Sequence, residues 1–248
     1  MTTLDCAGIS FRYSRRGPRV IQDLTWRCPP GVTILLGPNG AGKSTLMNVI
    51  ASATIPDAGS ISYDGMVLDR RRRDLRSWRR AVGWVPQQVN AIPGMTVREQ
   101  VAYLGWLKGM TRREAEARTP SALELVRLTS KADEKTGSLS GGQTRRMGIA
   151  GALVHDSQLV ILDEPTAGLD PSQRSSLRRV LQDMDRVSWL ISTHQTEDLG
   201  LHDAQVCVMD EGTMVWQGPS AKFLTLGSGV SDEARAVSAY RSLVGDEE

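Results

Sequence analysis

Apolar residues in this chain fall into short runs separated by glycine, proline and charged breaks, and the period of each run predicts the element it forms. Two short stretches, Ile9 to Tyr13 and Val20 to Trp26, precede the break Pro29-Pro30-Gly31, so the chain is expected to open with a β-rich segment. Val32 to Leu36 is continuously aliphatic or β-branched, the pattern of a strand buried on both faces, and it runs straight into a glycine-rich loop. A helix is predicted from Lys43 to about Ala53. Residues 59–68 alternate around Asp64-Gly65, which predicts a hairpin.

From Thr96 to Leu128 the pattern changes to helix-friendly residues, interrupted by Gly109 and Pro120. Residues 88–136 are therefore expected to form a helical insertion. Strand-like runs return at Leu159 to Leu162, Val187 to Ile191 and Ala204 to Met209, with helical stretches between them. Buried strands alternating with helices predict an α/β fold with a mainly parallel sheet covered on both faces. The chain reads as one domain over 1–248. An antiparallel β subdomain and the first half of the core occupy 1–87, the insertion 88–136, the second half of the core 137–226, and a C-terminal helix 227–248.

Composition narrows the class. The 248 residues carry 30 Lys plus Arg against 28 Asp plus Glu, a formal net charge of +2, with 40% hydrophobic residues. That balance describes an ordinary globular protein. The longest apolar runs fall far short of the ~20 residues that span a bilayer, and the N-terminus has no basic region followed by an apolar run. A cytoplasmic location is expected. Cys6, Cys28 and Cys207 are odd in number and lack CxxC spacing, so they read as small buried hydrophobes.

Only five of the 30 basic residues are lysines, so Lys43 needs a reason. It lies in Gly37-Pro38-Asn39-Gly40-Ala41-Gly42-Lys43-Ser44, a complete GxxxxGK[ST] between a buried strand and a helix. Glycines let backbone amides turn inward as an anion nest, and the helix aims its partially positive end at the same phosphates. Lys43 then reaches the β- and γ-phosphates and Ser44 offers a hydroxyl to magnesium; the adjoining Thr45 completes the nucleotide-binding set. These residues describe a P-loop nucleotide-binding core that takes ATP and Mg2+.

A second acidic site follows another buried strand, at Asp163-Glu164. On a strand the two side chains point to opposite faces, so they can have different tasks. Asp163 suits the magnesium shell and Glu164 suits polarising an attacking water. The alternative is a solvated strand end before the Pro165 turn.

Leu139-Ser140-Gly141-Gly142-Gln143 opens a further helix. Taken alone it is also an ordinary helix N-cap. In register with the other motifs, the sequence resembles the ATP-binding cassette family, the motor subunits of ABC transporters, over nearly its whole length. The resemblance makes Ser140, Gly141, Gly142 and Gln143 the signature motif, Gln87 (rather than Gln88) the Q-loop glutamine that reaches metal and water, Gly168-Leu169-Asp170 the D-loop, and His194 the switch histidine. It also makes Tyr13, thirty residues before Lys43, the adenine-stacking aromatic, with Phe11 as competitor. Thr144 departs from the basic residue or glutamine often found there.

What the resemblance implies is a head-to-tail dimer, homodimeric or a heterodimer of cassettes, in which each ATP touches the loop of one copy and the signature of the other. Glu164, His194, Lys43 and Gln87 would serve hydrolysis. A separate transmembrane permease would be the partner, placing the protein peripherally on the cytoplasmic face of the membrane. Pro93 to Glu99 and Gly168 to Pro171 resemble drug- and antibiotic-export cassettes, and the roughly thirty residues after Gly218 leave no room for the accessory β-domain of many sugar importers. Export is therefore the expected direction. An importer cassette, a soluble cassette such as an iron–sulfur assembly ATPase, and a simple P-loop kinase are the rivals.

The run Arg70 to Arg73, continued by Arg76, Arg79 and Arg80, is interrupted by Asp74 and has one aromatic neighbour, Trp78. A solvated surface, an anionic lipid contact and a nucleic-acid contact are the alternatives. The first is favoured and no nucleic-acid partner is expected.

Overall fold

The computed structural model describes residues 3–68, 72–184, 186–194 and 204–245. The chain divides into two compact units, Met1–Trp78 with Ser188–Glu248, and Arg79–Val187.

The first unit opens with β1 (Leu4–Phe11), β2 (Ile21–Cys28), β3 (Val32–Leu36), α1 (Lys43–Ile50), β4 (Ala58–Tyr63) and β5 (Met66–Val67). β2, β1, β4 and β5 form an antiparallel sheet in that order. In β2, Leu24, Trp26 and Cys28 are buried and the residues between them exposed, but Ile21 is out of phase. The register slips between the pairs Ile9↔Leu24 and Phe11↔Ile21, where Asp23 takes a φ of 46°, so a bulge returns Ile21 to the core face. The expected hairpin forms between β4 and β5. Asp64 and Gly65 have φ of 49° and 77°, the two positive values that match the twist of paired strands.

α1 stops three residues before the predicted end. Ser52 has a φ of 59°, and the Ala53 amide turns back to the Asn48 carbonyl, which closes the helix. The helix α2 (Arg72–Ala81) carries the boundary between the units. Arg70 and Arg71 lie outside the described residues. Trp78, the one aromatic in the arginine run, is fully buried with its indole N–H on the Ile50 carbonyl at 2.7 Å, so it offers no stacking platform.

The second unit contains β6 (Val82–Val85), α3 (Val97–Leu107), α4 (Arg112–Leu125), α5 (Gly141–Leu153), β7 (Leu159–Leu162) and α6 (Pro171–Gln182). β6 and β7 pair in parallel. α3 and α4 each begin with a reciprocal capping box, Thr96 with Glu99 and Thr111 with Glu114, and these fix the helix starts. Pro120 does not interrupt the helix as expected: it lies inside α4. The residue is exposed, as is Glu116 one turn earlier, so water can satisfy the carbonyl that proline leaves without a donor. Gly109, with a φ of 93°, does end α3.

The chain returns to the first unit through β8 (Ser188–Thr193), β9 (Gln205–Asp210), β10 (Thr213–Pro219), α7 (Ser220–Leu224) and α8 (Asp232–Val244). β3 lies between β8 and β9 and is parallel to both, while β10 closes the edge antiparallel to β9. A strand flanked on both sides and covered on both faces is mainly apolar; accordingly Ile34, Leu35 and Leu36 are at most 1% exposed, and the buried Thr33 hydroxyl accepts from the Cys28 thiol at 3.2 Å. Cys6, Cys28 and Cys207 are buried in this unit. Burial pushes the Cys28 thiol up to about 11 and the Cys207 thiol to about 12, so both stay protonated and act as small apolar side chains.

Candidate functional site

In the first unit the glycine-rich loop leaves the carboxyl end of β3, the end where ligands of parallel sheets bind. Leu36 pairs with Thr193 of β8, so Gly37 and His194 leave the same ends of neighbouring parallel strands. His194 is exposed.

Two glycines of the loop are required for different reasons. Gly40 has a φ of 87° and open space around it, so conformation excludes a side chain. Gly37 has an ordinary φ, but a Cβ there would lie 2.2 Å from the Met209 carbonyl oxygen on β9, so space excludes it. The Ala41 amide donates to the Pro38 carbonyl at 3.2 Å and tightens the loop. Gly42, left-handed at φ 99°, is the N-cap of α1 and has no side chain to satisfy the first-turn amides. An uncapped helix N-terminus behind a glycine loop is an anion site.

Lys43 is only 6% exposed. Its ammonium folds back over the loop to the carbonyls of Gly37 at 2.5 Å and Pro38 at 3.0 Å. Ser44 beside it is exposed, and Thr45 is buried with its hydroxyl 2.8 Å from that of Tyr13. Tyr13 is 71% exposed, and its ring meets Phe11 edge to face at 5.1 Å. Phe11, at 6% exposure, has no face left for a ligand. Of the two rings, only Tyr13 offers one.

The second unit repeats the strand-end logic. Val85 pairs with Leu162, so Pro86-Gln87 and Asp163-Glu164 leave β6 and β7 on the same side, and the Asp163 amide donates to the Val85 carbonyl at 3.1 Å. The two carboxylates differ from expectation. β7 ends at Leu162, so strand alternation does not set their directions, and Glu164 takes a left-handed φ of 45° that re-aims its side chain. Neither is a solvated strand end, for Asp163 is 5% and Glu164 8% exposed. Gln87 and Gln88 are both exposed.

Ser140 caps α5 reciprocally with Gln143: its amide donates to the Gln143 amide oxygen at 2.9 Å, and the Gln143 amide donates back to its hydroxyl at 3.4 Å. The helix-cap reading of this segment is therefore correct as local structure, and it leaves the glycines between them to face outward or pack. Gly141 is exposed. Gly142 is buried against the Gln173 side chain, which would stand 3.1 Å from a Cβ there. Asp170 in turn caps α6, accepting from the Gln173 amide at 2.9 Å and the Ser172 hydroxyl at 2.8 Å. Those bonds, the backbone one first, hold its carboxyl below the usual range. The start of α5 and the cap of α6 thus meet through Gln173.

One contributor escaped the sequence reading. Arg145 on α5 is buried and donates to the Pro86 carbonyl at 2.8 Å, bracing the turn that carries Gln87. Burial lowers its pKa and the Asp163 charge opposes that shift. In the sequence it is one arginine of Arg145-Arg146 on a helix, where a surface position is the default.

The model of the ABC transporter family matches residues 21–167. Nod factor export ATP-binding protein I of Burkholderia pseudomallei (strain 1710b) is 41% identical over 220 residues, covering 87% of this chain and 70% of the relative. Among solved structures, cbiO1 of Clostridium perfringens, part of the ABC transporter complex cbiONQ, superposes with a TM-score of 0.78 at 29% identity, over 90% of both chains. A dimeric bacterial ABC transporter cassette superposes with a TM-score of 0.73 at 25% identity, over 87% of this chain and 98% of the other. With a glycine loop at the end of a buried parallel strand and an antiparallel sheet built from strands before and after it, the chain belongs to the ABC transporter family, as an ATP-binding subunit.

Proposed function

We propose that this subunit hydrolyses ATP as a dimer and powers export through a separate membrane-spanning permease. The observation that carries the reading is the buried Lys43 held across a glycine loop at an uncapped helix N-terminus. An ammonium kept dry is justified by a polyanion that it neutralises. Gly37 to Gly42 and the first turn of α1 bind the phosphates, Lys43 spans the β- and γ-groups, Thr45 supports the phosphate contact and Tyr13 stacks on the base.

Ser44 and Asp163 are the proposed magnesium donors. Both are hard oxygen ligands, and no cluster of three or more His, Cys, Asp or Glu side chains that holds a metal occurs among the described residues. An ion held by two such donors takes the rest of its shell from phosphate and water, as magnesium does. When bound, it neutralises charge on the transferring phosphoryl group. Glu164 polarises the attacking water, Gln87 orients it, and His194 contacts the γ-phosphate. Ser140 to Gln143 serve the loop of the opposite copy, and Asp170 lies at the dimer contact. The dimeric cassette among the structural relatives supports this arrangement.

Export is supported by the name of the curated relative. No described helix is long and apolar enough to cross a membrane; a separate permease, with this subunit peripheral on the cytoplasmic face, is supported by the transporter complex to which the structural relative belongs. A groove of about 720 Å³ on α3 and α4, lined in part by Met95, Tyr103 and Trp106, supports a permease contact through the helical insertion. Expression with a multi-spanning permease tests the reading. Co-purification and permease-stimulated ATPase activity are expected; ATP turnover by a chain that never retains a membrane protein refutes the transport assignment.

A further inference from the structure

The Tyr13 ring is mostly in solvent, yet it is not loose. On its backbone side, the Arg12 amide donates to the Asp57 carboxylate at 3.0 Å, the Gly17 amide closes a turn on the Ser14 carbonyl at 3.0 Å, and the Val20 amide returns to the Phe11 carbonyl at 2.8 Å. At the far end of the ring, its hydroxyl meets Thr45 Oγ1 at 2.8 Å. Between these anchors the ring meets buried Phe11 in a T-shaped contact at an interplanar angle of 86°. A side chain that is 71% exposed and still held at both ends is presented to solvent in one orientation.

We propose that Thr45 is a positioning residue for the base platform. Its hydroxyl, on the first turn of the phosphate-binding helix, locks Tyr13 so that the aromatic face is presented at a fixed distance from the loop. This inference rests on the reading that Tyr13 stacks on the base. Stacking against a pre-oriented ring avoids the entropy of ordering it on binding. The two halves of the nucleotide are then measured against one helix: the triphosphate by the amides around Lys43, the base by a ring tethered within the same turn. The spacing between them is set by a side-chain hydrogen bond and not by the loop backbone alone.

The test is calorimetric titration of the full chain with MgATP and, separately, with inorganic tripolyphosphate, which has the phosphates but no base. Tyr13→Phe and Thr45→Val are each expected to weaken ATP binding by about three- to tenfold, the size of one side chain's ordering. The Tyr13→Phe/Thr45→Val double variant is expected to lose no more than Thr45→Val alone, and Tyr13→Phe is expected to leave tripolyphosphate binding unaltered. Thr45→Ser, which keeps the hydroxyl, should recover most of the Thr45→Val loss. Additive losses in the double variant, or a Tyr13→Phe that binds ATP like the parent, overturn the inference. Tyr13→Ala separates the two ideas: if it weakens ATP binding while Tyr13→Phe does not, stacking stands and positioning falls. If Tyr13→Ala leaves ATP binding unchanged, both fall.

Discussion

Replacing each of two loop glycines by alanine separates close approach from backbone conformation as the reason for glycine. At Gly37 the added Cβ meets the Met209 carbonyl oxygen at 2.2 Å, whereas protein Cβ atoms essentially never come closer than 3.0 Å, so one partner must retreat by about 0.8 Å. Neither can do so cheaply. Gly37 directly follows Leu36, which is paired with both Val208 and Thr193, and Met209 belongs to β9. Moving either strand lengthens ladder hydrogen bonds in the centre of the sheet. Overpacking of this kind costs about 3 kcal/mol. At Gly40 a Cβ meets nothing within 4 Å, and the only cost is an alanine in the left-handed region, about 1–2 kcal/mol. Equilibrium urea unfolding should therefore rank the variants parent, Gly40→Ala, Gly37→Ala in falling midpoint with little change in slope. Gly37→Ala should also lose ATP affinity, because the loop and β3 shift together. A Gly37→Ala midpoint equal to that of the parent, or a Gly40→Ala variant less stable than Gly37→Ala, would refute the steric argument.

Lys43→Ala is expected to cost at least about tenfold in ATP affinity by calorimetry, since a buried cation facing a polyanion is removed; unchanged affinity would sink the loop assignment. Glu164→Gln should bind ATP, form an ATP-dependent dimer by light scattering and hydrolyse at least about a hundredfold more slowly. A variant that stays monomeric with ATP counts against Glu164 as the water-polarising group. Acid stability is set in part by His155, which is 1% exposed and donates its Nδ1–H to the Arg80 carbonyl at 3.0 Å, with its other ring nitrogen unpartnered. Burial, aided by the charges of Lys108 and Arg80, pushes the imidazole down from 6.5 to about 4. As pH falls below about 6.5 the unfolded chain takes up the proton first, so stability declines from there to about pH 4, by about 3 kcal/mol in all. In His155→Asn that part of the decline should vanish from urea midpoints measured between these pH values; a decline as steep as the parent's would show that other groups carry it.

The chemistry-bearing motifs were legible because each is contiguous. Gly37 to Thr45, Asp163-Glu164 and Ser140 to Gln143 each lie within a few residues, and the apolar runs before the first two mark strand ends without any tertiary information. Register was partly legible too, since the Asp64-Gly65 turn forces its hairpin. What escaped is long-range or depends on burial. Pro120 read as a break because its penalty is local, yet α4 continues through it with the proline on the solvent side. Arg145 looked like a surface base, and its bond to Pro86 joins positions 59 apart in sequence. Strand alternation was a sound rule misapplied to Asp163 and Glu164, because the strand ends at Leu162, before either of them.

From sequence alone came the class of fold, the membership of a nucleotide-binding family and the identity of the loop, since glycine spacing, a lysine and a preceding apolar run are local properties of the chain. The tertiary structure alone decided why Gly37 cannot be any other residue, which of Phe11 and Tyr13 keeps an open face, and how Thr45 ties that ring to α1. Each of those is a matter of what lies within a few ångströms across separate strands and helices, and a linear order of residues carries no such distances.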